Sequence, residues 1–272
     1  MFGLFSPLPF WVTLSENSES PEAMRIIGGR PVSEGEWPWL VSLHAKIVTK
    51  KLFGFIPIAH SHVFCGGSVI NDHWILTAAH CFDGNYKHKN PKYWEARLAA
   101  VTIKPDVIDR IKDVLGRIFG RRDWRQWDID VTRIVPHPGY QQSKSWENDI
   151  ALVRLEKPVP SGRDFHRIRR INLPQYGNIT FPKLNDVCVM KGWGCTVGGR
   201  LVSRKAMSVE LPIYNTNGDS GGPLACKNEA GEWIQVGVAS FTSRFNPDKF
   251  PAVFTRVSHY TDWINRVING KA

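Results

Sequence analysis

The sequence predicts an all-β globule, a sandwich or barrel, closed off by one C-terminal helix. Three observations carry that prediction. From Ile26 onward, short β-like apolar runs recur between Gly, Pro and Asn turns. The composition suits turns and strands better than helices, with 23 Gly, 18 Pro and 11 Trp. Tyr260, Trp263, Ile264, Val267 and Ile268 fall on one helical face at the end of the chain.

Taken in order, residues 1–25 read as a leader ahead of one domain at residues 26–270. Residues 1–14 are apolar and uncharged, lack a basic start and are interrupted by Pro7 and Pro9. They read equally as a weak signal peptide or as a mis-assigned start or short buried segment. Residues 15–25 are polar and acidic, and Pro21 breaks any regular structure there. Strands are expected at 39–43, 67–70, 74–77, 150–155, 187–190, 234–241 and 253–256. One stretch breaks the β pattern. Val107, Ile108, Ile111, Val114, Leu115, Ile118 and Phe119 predict an amphipathic helix within 106–119. Arg110, Lys112, Asp113 and Arg117 on its polar side suit a lid on the globule better than a membrane helix.

A length of 272 residues is ample for a sizeable core. With 42% hydrophobic and 22% charged residues the chain is not disordered, coiled-coil or collagenous. No apolar run reaches the ~20 residues of a membrane span, so no transmembrane anchor is expected. The net charge of +10 admits a polyanion partner such as heparin, beside the blander reading of a solvated basic face. The basic runs at 117–125 and 163–170 lack interleaved aromatics and glycines, so no nucleic-acid partner is expected. The five cysteines form no C-x-x-C pair, which argues against zinc, and neither metal nor cofactor is expected. Asn178-Ile179-Thr180 is a glycosylation sequon, meaningful in a secreted chain.

Three separated segments each offer one part of a nucleophilic machine. Leu76-Thr77-Ala78-Ala79-His80-Cys81 places a His at the end of an apolar strand. Asn148-Asp149-Ile150-Ala151-Leu152-Val153 places an acid at the start of another. Gly218-Asp219-Ser220-Gly221-Gly222-Pro223-Leu224 sets a Ser in a glycine-rich turn. A serine hydroxyl is a weak nucleophile that needs a base, and the base needs an orienting group. His80 suits the base, Asp149 the orienting acid and Ser220 the attacker. The backbone N–H groups of Gly218 and Ser220 can converge on an oxyanion. Each segment alone has a dull reading as a core histidine or a turn; the three together are specific.

With Ile26-Ile27-Gly28-Gly29, Trp37-Pro38-Trp39, Cys65-Gly66-Gly67-Ser68 and Gly192-Trp193-Gly194 added, the chain resembles the chymotrypsin/trypsin family of serine endopeptidases from Ile26 to about Asn269. The Ser-His-Asp triad is best known from that family, so its mechanism comes here with the resemblance. The resemblance implies two six-stranded antiparallel β-barrels with the site between them, a secreted zymogen, and peptide-bond hydrolysis through an acyl-enzyme. It implies cleavage after Arg25 by a trypsin-like activator, with the new ammonium of Ile26 pairing with Asp219. It also implies Cys65–Cys81 and Cys188–Cys226 disulfides, and a Ser240 that supports the acid and lines the cleft.

The chain departs from the family just before the nucleophile. Only Tyr214, Asn215, Thr216 and Asn217 separate Ile213 from Gly218. By resemblance roughly thirty residues are absent there, including a strand and the floor of the specificity pocket. The second barrel is therefore expected to be incomplete, and Cys195 is left without an evident partner. Tyr214 stands six residues before Ser220, so trypsin-like specificity does not carry over. Phe241, Thr242 and Ala252 also differ from the family's usual cleft residues, the last two replacing frequent glycines. The alternative reading is a non-catalytic protease fold that binds a partner, or an inactive splice isoform. Two further stretches are longer than usual in the family, 46–62 with Lys46, Lys50 and Lys51, and the one before Asp128; both are expected to project around the cleft rim and either restrict access or bind a partner, and their residues do not say which.

Overall fold

The computed structural model describes residues 30–53, 56–84, 87–99, 101–102, 127–141, 146–160, 168–193, 206–212, 221–241 and 253–271. The helix expected within 106–119 lies outside them. Twelve strands among the described residues form two antiparallel units. The first comprises β2 (Leu40–Leu52), β3 (Ile56–Val69), β4 (Trp74–Thr77), β5 (Trp94–Leu98), β6 (Trp127–Pro136) and β7 (Ala151–Leu155), closed in the order β2-β3-β4-β7-β6-β5. The second comprises β1 (Arg30–Pro31), β8 (Val187–Gly192), β9 (Met207–Pro212), β10 (Pro223–Lys227), β11 (Trp233–Phe241) and β12 (Val253–Arg256). Its six strands run in the order β1-β9-β8-β10-β11-β12. This is the all-β double-barrel architecture, with the first barrel closed and the second present as a six-stranded sheet.

β4 and β7 show why the sequence folds this way. All four residues of β4 are buried, and its partner β7 buries Ala151, Leu152 and Val153 completely. Uninterrupted apolar runs of this length suit strands covered on both faces. Each fully buried Leu, Ile or Val contributes about 1.5–3 kcal/mol relative to exposure. The two strands pair Thr77 with Ala151 and Trp74 with Arg154. That antiparallel register puts the exit of β4 beside the entry of β7. The segments carrying His80 and Asp149, 69 residues apart in sequence, leave the barrel at the same end.

The main core spans both units, and the second sheet has a smaller cluster of its own around Cys188, Met190, Leu224, Cys226, Val236 and Ala239. Val41, Leu43, Ile75, Leu76, Leu98 and Leu152 of the first barrel join a cluster that includes Ala225 and Val238 of the second sheet. A buried hydrogen bond from Ser68 Oγ to Gln235 Oε1, at 2.5 Å, crosses between them. The C-terminal helix α1 (Thr261–Ile268) buries Trp263, Ile264 and Val267, the face that its periodicity predicts. Trp263 and Tyr260 pack edge-on against His137, at 4.9 and 5.2 Å between ring centroids. Burial, reinforced by the Arg266 charge, lowers the His137 imidazole below its usual range.

One buried charge interrupts the apolar pattern. Lys191 on β8 is 3% exposed and donates to Glu36 Oε1, with its ammonium 4.4 Å from the Trp37 ring centre. Arg30 on β1 forks onto the same carboxylate, at 2.5 and 2.9 Å, and the Ser33 N–H donates at 3.0 Å. Desolvation lowers the Lys191 pKa despite its partner. Hydrogen bonding from Arg30, helped by Lys191 and Ser33, holds the Glu36 carboxyl down to about 2. A lone buried ammonium would be costly; this arrangement satisfies it while clamping the start of the domain to β8.

Candidate active site

His80 sits in a short 3-10 turn, Ala79–Phe82, directly after β4. A disulfide joins Cys81 of that turn to Cys65 of β3. Closing this link removes chain freedom from the unfolded state and pins the turn to the barrel. A second disulfide joins Cys188 on β8 to Cys226 on β10.

Asp149 is fully buried and approaches His80 twice. Its Oδ1 accepts the His80 backbone N–H at 2.8 Å, and its Oδ2 lies 2.7 Å from Nδ1. Ser240, buried on β11, donates its hydroxyl to the same Oδ2. Thr255 on β12 donates to the Asp149 backbone carbonyl at 2.8 Å. A buried carboxylate with three donors on its two oxygens is well satisfied. It is therefore fixed in direction, and so is the imidazole facing it. Among the described residues Nε2, the far nitrogen of His80, has no hydrogen-bond partner. The His80 side chain keeps 14% exposure.

The turn ahead of Asp149 is held from several sides. Asn148 adopts a left-handed backbone, with φ +56°. Its amide donates to the Gly139 carbonyl at 2.9 Å, and its side-chain oxygen accepts from the Tyr260 hydroxyl at 3.0 Å. Nearby, the Tyr140 hydroxyl donates to Asp83 at 2.5 Å. Burial and that carboxylate raise the Tyr140 pKa far above the usual phenol range.

Gly218, Asp219 and Ser220 lie outside the described residues, as do Arg25, Ile26, Thr242, Ala252 and Cys195. Gly221, the residue after Ser220, is described. Its φ is +77°, and a Cβ there would sit 2.4 Å from Thr77 Oγ1, 2.7 Å from the Gly66 carbonyl and 3.2 Å from Cys81 Sγ. Only glycine fits so close to the His80 turn. A Cβ on Gly66 would lie 2.8 Å from Gly222 Cα, so β3 also abuts this segment. Gly221 N–H donates to Ala239 O, and Ala239 N–H to Gly222 O, lacing the turn to β11 one residue before Ser240. Phe241 closes β11 and pairs with Val253.

Two neighbours escaped the sequence reading. Trp146, 38% exposed, stands edge-on to His80 with ring centres 5.7 Å apart. A tryptophan three residues before Asp149 was the available signal. Thr255 offered none, because its reach to Asp149 depends on how the second sheet lies against the first. The donor atoms of Cys65, His80 and Cys81 lie within 4.8 Å of one another. Both sulfurs are spent on the disulfide, leaving a single nitrogen and no metal-ligand set there. Asn178 accepts from Thr180 N–H and Oγ at 3.0 Å each, and from Phe181 N–H at 3.2 Å, in an exposed turn.

No helix among the described residues is long and apolar enough to cross a membrane. The family model described as Trypsin matches residues 26–217 and 214–264, two stretches that meet at the short segment before Gly218. Human transmembrane protease serine 7 is 32% identical over 282 residues, covering 92% of this chain and 29% of that protein. The rat protein of the same name is 29% identical, with the same coverages. Mouse transmembrane protease serine 11G is 26% identical over 276 residues, covering 90% of this chain and 56% of that protein. The chain thus spans less than a third of the first two relatives and about half of the third. A two-unit β architecture, a His–Asp pair at its junction and a family match over nearly all of the domain agree: the chain belongs to the trypsin family of serine peptidases.

Proposed function

We propose that this chain is the catalytic domain of an extracellular serine endopeptidase. Ser220 attacks the peptide carbonyl, His80 takes its proton and returns it to the leaving amine, and Asp149 orients the imidazole. The Gly218 and Ser220 N–H groups stabilise the tetrahedral oxyanion, and water then releases the acyl-enzyme. Cleavage after Arg25 by a trypsin-like activator frees the Ile26 ammonium to pair with Asp219 and shape that hole. Ser240, Phe241, Thr242 and Ala252 line the substrate cleft. Two disulfides and the Asn178 sequon suit the secretory route.

The observation that carries the reading is the hydrogen-bonded line from Ser240 through Asp149 to His80. The position of Gly221 against Thr77 and Cys81 supports Ser220 as the nucleophile. The test is the intact mass of soluble, Arg25-cleaved protein after treatment with a fluorophosphonate, with Ser220→Ala as control. One adduct that depends on Ser220 is expected.

A second reading rests on a specific observation, the four residues between Ile213 and Gly218 where the two family matches meet. On that reading the chain is a non-catalytic binding module. A folded, monodisperse protein that takes no adduct would favour it.

A further inference from the structure

Asp149 sits between two neighbours that are held in different ways. Ile150, after it, is fully buried, and its carbonyl accepts the His137 N–H at 2.9 Å, so the barrel fixes that side. Asn148, before it, has a left-handed backbone with φ +56°. Its carbonyl accepts the Ile150 N–H at 2.7 Å, which closes a three-residue turn with Asp149 at the corner. A carboxylate at the corner of so small a turn swings with either neighbour. Left-handed backbone is uncommon outside glycine, and the contacts that hold Asn148 in it run through its side chain.

That side chain is held at both ends. The amide of Asn148 donates to the Gly139 carbonyl at 2.9 Å. This hold is close packed, because a Cβ on Gly139 would come 3.2 Å from Asn148 Nδ2 and 3.3 Å from His137 Nδ1. The Gly139 N–H in turn donates to His137 Nδ1 at 3.1 Å. The other hold comes from 112 residues away, where the Tyr260 hydroxyl donates to Asn148 Oδ1 at 3.0 Å. Tyr260 caps the start of α1, and its carbonyl accepts the Ile264 N–H at 2.8 Å. Its ring stands edge-on to His137, so the direction of its hydroxyl follows from the docking of the helix. Burial, with Glu147 and Asp149 nearby, raises the Tyr260 pKa, which keeps the proton that makes the bond.

We propose that Tyr260 is a positioning residue for Asp149. Its hydroxyl, acting through Asn148, sets where the carboxylate meets His80, and the C-terminal helix thereby takes part in building the site. The inference rests on the endopeptidase reading for its effect on rate, but the contact it names can be read without catalysis.

The experiment is proton NMR on the Ser220→Ala full chain, following the far-downfield resonance of the hydrogen between His80 Nδ1 and Asp149 Oδ2. Tyr260→Phe keeps the ring and deletes one hydroxyl. The resonance should move upfield and exchange faster with water. In the chain with Ser220 restored, kcat should fall about three- to tenfold, the loss of one neutral hydrogen bond, with KM within about twofold. Asn148→Gly leaves the left-handed backbone accessible and removes both holds, so its loss should be at least as large. Adding Tyr260→Phe to it should change little more, because the two residues act in series. Thr261→Val is the control: the Thr261 hydroxyl donates to the Pro174 and Val257 carbonyls, away from Asn148. It should lower the unfolding midpoint and leave both the resonance and kcat as they were. An unmoved resonance in Tyr260→Phe, the same loss in Thr261→Val, or full additivity of the Tyr260 and Asn148 changes would overturn the proposal. A chain inert to fluorophosphonate whose resonance still answers to Tyr260 would sink the endopeptidase reading alone.

Discussion

Ser240 and His80 share one carboxylate oxygen: the Ser240 hydroxyl donates to Asp149 Oδ2, which also faces His80 Nδ1. Ser240 comes from β11 of the second sheet and His80 from the turn after β4 of the first barrel. The acid is therefore held by both halves of the molecule. A shift of one half against the other would turn the carboxylate and the imidazole with it.

Replacing Ser240 with Ala removes one of these donors. Hydrogen bonds to charged groups contribute about 1.5–3 kcal/mol, so kcat should fall by about ten- to a hundredfold. Steady-state kinetics on a peptide substrate read the change. An unchanged kcat would mean that the His80 N–H and the Thr255 contact hold Asp149 unaided.

Gly221→Ala tests the close approach beside the nucleophile. The left-handed backbone alone costs a non-glycine residue on the order of 1–3 kcal/mol, and the Cβ collides with Thr77 Oγ1. Denaturant unfolding should show a loss at least that large, with the fluorophosphonate adduct abolished. Wild-type stability and labelling together would mean that the turn is not packed on β4 as described.

Acid should loosen the clamp at the start of the domain. The Glu36 carboxyl lies at about 2 when folded and near the ordinary 4.5 when unfolded. The unfolded state thus binds the proton more readily. The associated stability is present above about 4.5 and lost as pH falls from there toward 2. Glu36→Gln should flatten that acid limb in unfolding curves measured from pH 6 to 2. It should also lower stability at neutral pH, by leaving buried Lys191 without its counter-charge. An acid limb of unchanged slope would count against the clamp.

Secreted protein should carry one N-linked glycan at Asn178, removable by an amidase and absent from Asn178→Gln and Thr180→Ala. The sequon lies in a turn whose Tyr176 and Ile179 are both more than 60% exposed, within reach of solvent. Mass spectrometry of the released peptide decides it; an unmodified Asn178 on secreted material would refute the assignment.

Much of this was legible in local sequence because the deciding forces were local. Apolar runs such as Trp74–Thr77 become strands through burial on both faces, and α1 docks on the face its spacing marks. The motifs around His80 and Asp149 named the pair, because few other roles need that chemistry in that order. The family's cysteine motifs likewise implied the two disulfides that the fold contains. What escaped the sequence was whatever depended on distant register. Thr255 meets Asp149 across 106 residues, and Lys191 meets Glu36 across 155. Such contacts arise only when two independently patterned sheets settle against each other. Likewise, the lysine-bearing stretch at 46–62 read as an insertion at the cleft rim, with nothing in its residues to give its shape. It is a two-stranded ribbon because β2 and β3 go on pairing to Leu52↔Ile56 after β5 stops at Ala45. Composition and period determined which residues would be strands, core and reactive groups. Tertiary structure alone decided which of them share a hydrogen bond, because the direction of a donor follows from packing and not from residue type.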